Sequence, residues 1–255
     1  MMGWTTVFFL FLAGTAGGLI NAMAGGATLI TFPAMLMAGL PAVTANASNA
    51  VAISPGHLIA AFADRSKLPT DSRRFRALCL VSIVCGTVGA CTVLILPPRL
   101  FTLPVPAMIA FATLLFAYAP SIQAWALRHR LIEDRAPLYV EASAVGAASL
   151  YGGFFGAGLG VMLTAVLSVV EVDDIRTIKS LKNVLASCVS IAAVVTFVGQ
   201  HAVAWPPTIV MLGGALIGGY VGGHLIRVLP AAWVKKFVVA AGAIMTVIYA
   251  RQYWL

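Results

Sequence analysis

Charged residues fall in a few short clusters along the chain, and long apolar runs lie between them. A helix needs about 20 predominantly apolar residues to cross a bilayer. Six runs read as single spans: 44–63, 76–97, 103–127, 183–200, 206–226 and 235–250. Each is expected to be helical, because backbone buried in lipid must satisfy its own N–H and C=O groups. The last is short, a mismatch that the membrane interface absorbs.

Two regions do not fit one helix each. Residues 4–41 carry no charge, and as one straight helix they would measure about 57 Å, too long for the membrane. Gly17-Gly18 and then Gly25-Gly26 are expected to break the run. Residues 137–170 hold Gly152-Gly153, Gly156, Gly158 and Gly160 at their middle. Each region is read as a helix, a glycine-rich break and a second short helix, forming a hairpin that is either re-entrant or crosses twice.

Composition sharpens the class. Of 255 residues, 61% are hydrophobic and 9% charged, against about 45–50% and 25% in soluble domains; the mean hydropathy is +0.99. A soluble enzyme, a disordered chain and a nucleic-acid-binding domain are thereby excluded. The expected fold is an all-α polytopic membrane protein. The net charge of +8 comes from 16 Lys+Arg against 8 Asp+Glu. The basic residues cluster as Arg65, Lys67, Arg73, Arg74 and Arg76; as Arg128, Arg130 and Arg135; and as Arg227, Lys235 and Lys236. The positive-inside rule places these three loops in the cytoplasm. The 98–102 connection has only Arg99 and the 201–205 connection no Lys or Arg, so both are expected outside. Both termini then fall outside, which in a bacterial inner membrane is the periplasmic face. The span at 44–63 begins outside, whereas the span at 183–200 begins inside, next to Arg176, Lys179 and Lys182. Cys79, Cys85, Cys91 and Cys188 all lie in apolar stretches. The first three point in different directions on a helix, which argues for packing thiols rather than a metal cluster.

The two halves also resemble each other. At an offset of 134, Ala24 pairs with Gly158, Gly26 with Gly160 and Asn49 with Asn183. At 133, Gly86, Gly89, Ala90 and Pro97 meet Gly219, Gly222, Gly223 and Pro230. Repeat 1 is taken as 1–127 and repeat 2 as 128–255, within one integral membrane domain. Each holds one broken hairpin and three full spans. Three is odd, so the repeats are inverted, the arrangement typical of secondary transporters.

Three motifs carry a family resemblance. The first runs Gly18-Leu-Ile-Asn21-Ala-Met-Ala-Gly25-Gly26-Ala-Thr28 to Pro33, then Gly39-Leu-Pro41 and Ala45-Asn46-Ala-Ser-Asn49. The second is Tyr151-Gly-Gly153-Phe-Phe-Gly156-Ala-Gly158-Leu-Gly160, followed by Lys182-Asn183. The third is Gly218-Gly-Tyr-Val-Gly222-Gly223-His-Leu-Ile-Arg227-Val-Leu-Pro230. Together they resemble the sulfite exporter TauE/SafE family, the TSUP permeases. Ala27 and Ala157 stand where that family often has another Gly or Pro. The resemblance implies a plasma-membrane anion permease, with relatives linked to efflux of sulfite, sulfoacetate and related organosulfur anions.

The chemistry expected of the residues follows from what an anion needs at membrane depth. A helix beginning there presents free N–H groups and about half a positive charge. The breaks at Gly25-Gly26-Ala27-Thr28 and at Gly156, Gly158 and Gly160 supply two such N-termini. The alternative is that glycines only permit close helix packing, since Gly14/Gly18, Gly152/Gly156, Gly214/Gly218 and Gly218/Gly222 all fit that spacing. Asn49 and Asn183, at matching positions, can donate through their amides; Asn21, Asn46 and Thr28 are further candidates. Lys182 can attract an anion, or simply snorkel to the interface. His57, after Ser54-Pro55-Gly56, is a candidate proton or anion contact, or a structural histidine. Glu141 sits near the membrane boundary.

The expected function is secondary transport of a small sulfur-containing oxyanion by alternating access, with an anion channel, or a permease for a carboxylate or thiosulfate, as alternatives. No H-E-x-x-H, G-x-S-x-G or paired membrane aspartates suggest an enzyme. The expected partners are a small anionic substrate, the lipid bilayer and, as an open alternative, a second copy in a homodimer. No cofactor, metal or nucleic acid is expected.

Overall fold

The computed structural model describes residues 2–24, 26–63, 68, 72–128, 137–170, 175–225 and 231–255. Every regular element among them is a helix: α1 (Trp4–Ala24), α2 (Thr28–Met37), α3 (Ala42–Ala63), α4 (Ser72–Ile95), α5 (Pro98–Thr102), α6 (Val105–Arg128), α7 (Leu138–Phe154), α8 (Leu159–Val170), α9 (Ile175–Gly199), α10 (Trp205–Leu225) and α11 (Ala231–Trp254). The six expected spans correspond to α3, α4, α6, α9, α10 and α11. Arg65, Lys67, Arg130, Arg135, Arg227 and Pro230 lie outside the described residues.

Five stretches are long and apolar enough to cross a membrane: Trp4–Ala22, Arg73–Ile95, Pro98–Arg128, Thr177–Gly199 and Ala232–Trp254. Helices α3 and α10 are long enough, at 22 and 21 residues. Asn46, Ser48, Asn49 and Ser54 make α3 less apolar, and α10 is rich in glycine. Helix α4 begins four residues before the predicted span, and α9 eight before it, so Arg73, Arg74, Lys179 and Lys182 ride on helical extensions. Short α5 precedes α6 because Pro97 and Pro98 open it and Leu103-Pro104 close it.

Both hairpins form, with their breaks displaced from two of the expected points. Helix α1 runs through Gly17-Gly18 to Ala24. At 21 residues it is about 31 Å long, enough to span alone, whereas α2, at 10 residues, reaches about half that. Gly18 permits close approach: a Cβ there would strike the carbonyl of Ala215 on α10. Gly152-Gly153 likewise stay helical, and a Cβ at Gly153 would strike the carbonyl of Gly86 on α4. The second break falls at Phe155–Gly158. There Gly156 (φ +79°) and Gly158 (φ +83°) adopt the left-handed backbone that only glycine takes without strain. The Gly156 amide reaches back to the Tyr151 carbonyl at 3.3 Å, closing α7 with a glycine C-cap.

Helix α1 lies along α10, and α7 along α4. Helix α3 packs on α9, α6 on α11, α2 on α11 and α8 on α6. Glycines set the closest of these approaches. Cβ atoms at Gly214 and Gly218 would meet the carbonyls of Phe11 and Thr15, and one at Gly89 the carbonyl of Leu150. Helices in lipid gain little from hydrophobic burial against one another, so this small-residue packing holds them. Two buried clusters result. One joins Leu10, Phe32, Ala45 and Phe116 to Phe155, Phe197, Met211 and Tyr249. The other joins Leu78 to Val145, Leu163, Leu181 and Leu185. Each cluster draws residues from both halves of the chain.

Candidate functional site

Helix α3 is interrupted chemically at its middle. Pro55 has no N–H to give the Val51 carbonyl four residues earlier. The Ser54 hydroxyl donates to that carbonyl instead, at 3.0 Å. Two residues past Pro55, the carbonyl of His57 accepts from the Ser187 hydroxyl on α9 at 2.9 Å. The two central helices are therefore joined by a hydrogen bond beside His57.

Two cavities meet at this point, and Ile53 and His57 line both. The larger, about 690 Å³, takes Asn21 from α1, Gly160 from α8, and Lys182 and Asn183 from α9. It runs along the C-terminal half of α3 and the N-terminal half of α9. The smaller, about 30 Å³, is lined by Thr28, Asn46, Asn49, Gly156 and Ser190, and runs along the other halves of both helices. It has room for about one water molecule, so as it stands it admits no polyatomic anion.

The expected site residues are distributed between the two. Asn21, Gly160, Lys182 and Asn183 line the large cavity. Thr28, Asn46, Asn49 and Gly156 line the small one. Gly26 lies under the Phe116 ring, where a Cβ would approach to 2.8 Å, and Gly158 faces Leu115. Gly25 lies outside the described residues. Asn49 and Asn183, at matching positions of the two halves, both lie early in their helices, and α3 and α9 present opposite ends to the cavities. Asn49 and Asn183 therefore serve different cavities.

Local bonds set the walls. Asn46 donates its side-chain amide to the Phe154 carbonyl at 3.0 Å, tying α3 to the end of α7. The Ser48 hydroxyl accepts from the Ala204 amide at 3.0 Å. Tyr151 donates to the Ala157 carbonyl at 2.8 Å across the break. Asn49 is 2% exposed, and its Oδ1 has no hydrogen-bond partner among the described residues. Glu141 is fully buried at the start of α7 and pairs with Arg74 at 3.4 Å, away from both cavities. Gly214, Gly218, Gly219 and Gly222 pack on α1, and Gly219 also lines the large cavity.

Sequence reasoning missed several lining residues. Gln123 and Thr164 line the large cavity and Ser190 the small one. All three are polar residues within spans, the signal that marks functional candidates in lipid.

Helices long and apolar enough to cross a membrane, broken hairpins, and a mainly apolar cavity that brings Asn21, Lys182 and Asn183 to the middle of the bundle are the features of a membrane transporter. The comparisons specify which kind. The family model described as "Sulfite exporter TauE/SafE" matches residues 10–249, and the chain belongs to that family. Similar curated proteins are a "Probable membrane transporter protein" of Haemophilus influenzae, 23% identical over 245 residues (96% of this chain, 94% of that protein), and "Probable membrane transporter protein ORF9" of a Sinorhizobium species, 25% identical over 237 residues (91% and 87%). A third is "Probable membrane transporter protein YfcA" of Escherichia coli K12, 22% identical over 239 residues (93% and 87%).

Proposed function

We propose that this transporter exports small sulfur-containing oxyanions, such as sulfite or a short organosulfonate, by alternating access. The observation that carries the reading is the large cavity, where the Lys182 side chain and the Asn21 and Asn183 amides line one chamber beside the first turn of α8. Those are donors and positive potential, and none of the described lining residues is acidic, the chemistry an anion needs. Orientation follows the basic residues. Arg128 ends α6, and Lys179 and Lys182 lie early in α9, at the ends along which the large cavity runs. That mouth is therefore the cytoplasmic one, in the inner membrane of a bacterium. The inside-negative potential then drives an anion outward, by about 2.3 kcal/mol per charge per 100 mV, without a coupling ion.

The inverted-repeat reading has its own support. Exchanging α1 with α7, α2 with α8, α3 with α9, α4 with α10 and α6 with α11 returns the same main packing partners. A carrier built this way rocks one half against the other around a central site. The test is competition in proteoliposomes: labelled sulfite efflux, with unlabelled sulfoacetate, thiosulfate and acetate added in turn. Saturable efflux inhibited by the sulfur anions and not by acetate supports the reading. Efflux that never saturates points to a channel, and inhibition by acetate alone to a carboxylate permease.

A further inference from the structure

The two cavities are lined by the same positions of the two halves. Gly18, Asn21, Ala22, Gly56, Ile59 and Asn183 line the large one. At the offset of 134 their counterparts are Gly152, Phe155, Gly156, Ser190, Ala193 and Asn49, and all six line the small one. The cavities run toward opposite ends of α3 and α9 and differ more than twenty-fold in volume, about 690 against 30 Å³. We infer that the small cavity is the closed mouth of a second access route, and that the Asn46–Phe154 hydrogen bond with the Phe155–Phe32 contact is its gate. This inference rests on the alternating-access reading above.

The residues that differ between the paired positions show how the mouth is shut. In the large cavity Asn21 stands against Gly56, where a Cβ would lie 2.6 Å from the Asn21 amide nitrogen. The matching pair in the small cavity is Phe155 and Ser190, and both side chains are larger. Phe155 is buried and meets the edge of Phe32 at 5.1 Å with the rings at 89°. Asn46 holds the end of α7 against α3 at 3.0 Å, and Ser48 holds the 202–204 segment through the Ala204 amide at 3.0 Å. Parting α7 from α3 breaks the first bond, withdraws Phe155 and gives water access to the buried Oδ1 of Asn49. The position matching Lys182 is Ser48, whose hydroxyl is held by the Ala204 amide and does not line the small cavity, so no cation stands there as one does in the large cavity.

Thiol accessibility tests the gate. In protein whose four cysteines are replaced by alanine, Ile59→Cys and Ala193→Cys report the two mouths at equivalent positions. A membrane-impermeant methanethiosulfonate is the probe, applied to both faces of reconstituted protein. Ile59→Cys is expected to react fast and Ala193→Cys slowly. Adding Asn46→Ala removes one hydrogen bond from the closed gate, so the Ala193→Cys rate should rise roughly five-fold while the Ile59→Cys rate falls. Phe155→Leu keeps an apolar side chain at the break and should shift both rates the same way, which covers misfolding of the first variant. Unchanged rates in both variants, or rates that rise together, overturn the gate. Sulfite flux on the same samples separates the two readings. Exchanged rates without flux leave the gate and remove the substrate; saturable flux without exchange removes the gate alone.

Discussion

The side-chain amide of Asn46 on α3 reaches the main-chain carbonyl of Phe154 at the end of α7, 3.0 Å away across 108 residues of sequence. Asn46 is 2% exposed. Loss of its amide leaves a carbonyl next to a cavity with room for about one water. Asn46→Ala should therefore lower unfolding stability in detergent by about 1 kcal/mol, the net worth of one such bond. The check is the thermal midpoint of the purified variant beside that of the wild type.

Glycine packing makes a contrast inside one helix. A Cβ at Gly218 would strike the carbonyl of Thr15, whereas one at Gly213 meets nothing within 4 Å among the described residues. Gly218→Ala should push α10 off α1 and cost roughly 2 kcal/mol, in the range of overpacked sites. Gly213→Ala should be neutral or slightly stabilising, since alanine is the better helix former. Thermal midpoints of the two variants decide it, and equal losses would contradict the packing described.

The Arg74–Glu141 pair joins α4 to the start of α7. Glu141 is fully buried, while Arg74 keeps 20% of its side chain exposed. Glu141→Ala should cost roughly 3 kcal/mol, the low end for breaking a buried pair. Replacing both residues by leucine should recover most of that loss, because the desolvation of both charges then disappears as well. A double-variant cycle on thermal stability measures this.

Lys182 lines the large cavity and is half-buried. Lys182→Gln keeps a polar side chain and removes the charge. The KM for a singly charged sulfonate should rise about five-fold, corresponding to roughly 1 kcal/mol for an exposed charge pair. For doubly charged sulfite the rise should be larger. Initial rates against substrate concentration give both values, and equal KM for wild type and variant would remove Lys182 from the site.

Much of the fold was legible because apolar run length and loop charge are local properties. The helices over the six apolar runs and the two helix–break–helix regions follow from them. The break positions were less legible. Gly17-Gly18 and Gly152-Gly153 look like breaks, yet they stay helical, and their missing side chains admit neighbours: α2 at Gly17, α10 at Gly18, α8 and α9 at Gly152, and α4 at Gly153. A glycine pair in sequence does not say whether backbone freedom or close approach is being used. The candidate site was partly readable for the same reason. Polar residues in apolar runs picked out Asn21, Asn49, Lys182 and Asn183, all of which line a cavity. Their division between two cavities was not readable, because it depends on how α3 and α9 lie against each other. Phe155 was missed outright, since an aromatic side chain at a glycine break carries no polar signal.

The central claim is that a small sulfur oxyanion passes through the cavity at Asn183. Its most direct test is sulfite flux from proteoliposomes carrying wild-type protein or Asn183→Ala, with insertion verified for both. The account predicts saturable flux in the wild type and a fall of at least about ten-fold in the variant, the loss of an amide donor to a charged ligand. Saturable flux unchanged by the substitution would contradict the site, and absence of any sulfur-anion flux from correctly inserted wild-type protein would contradict the substrate.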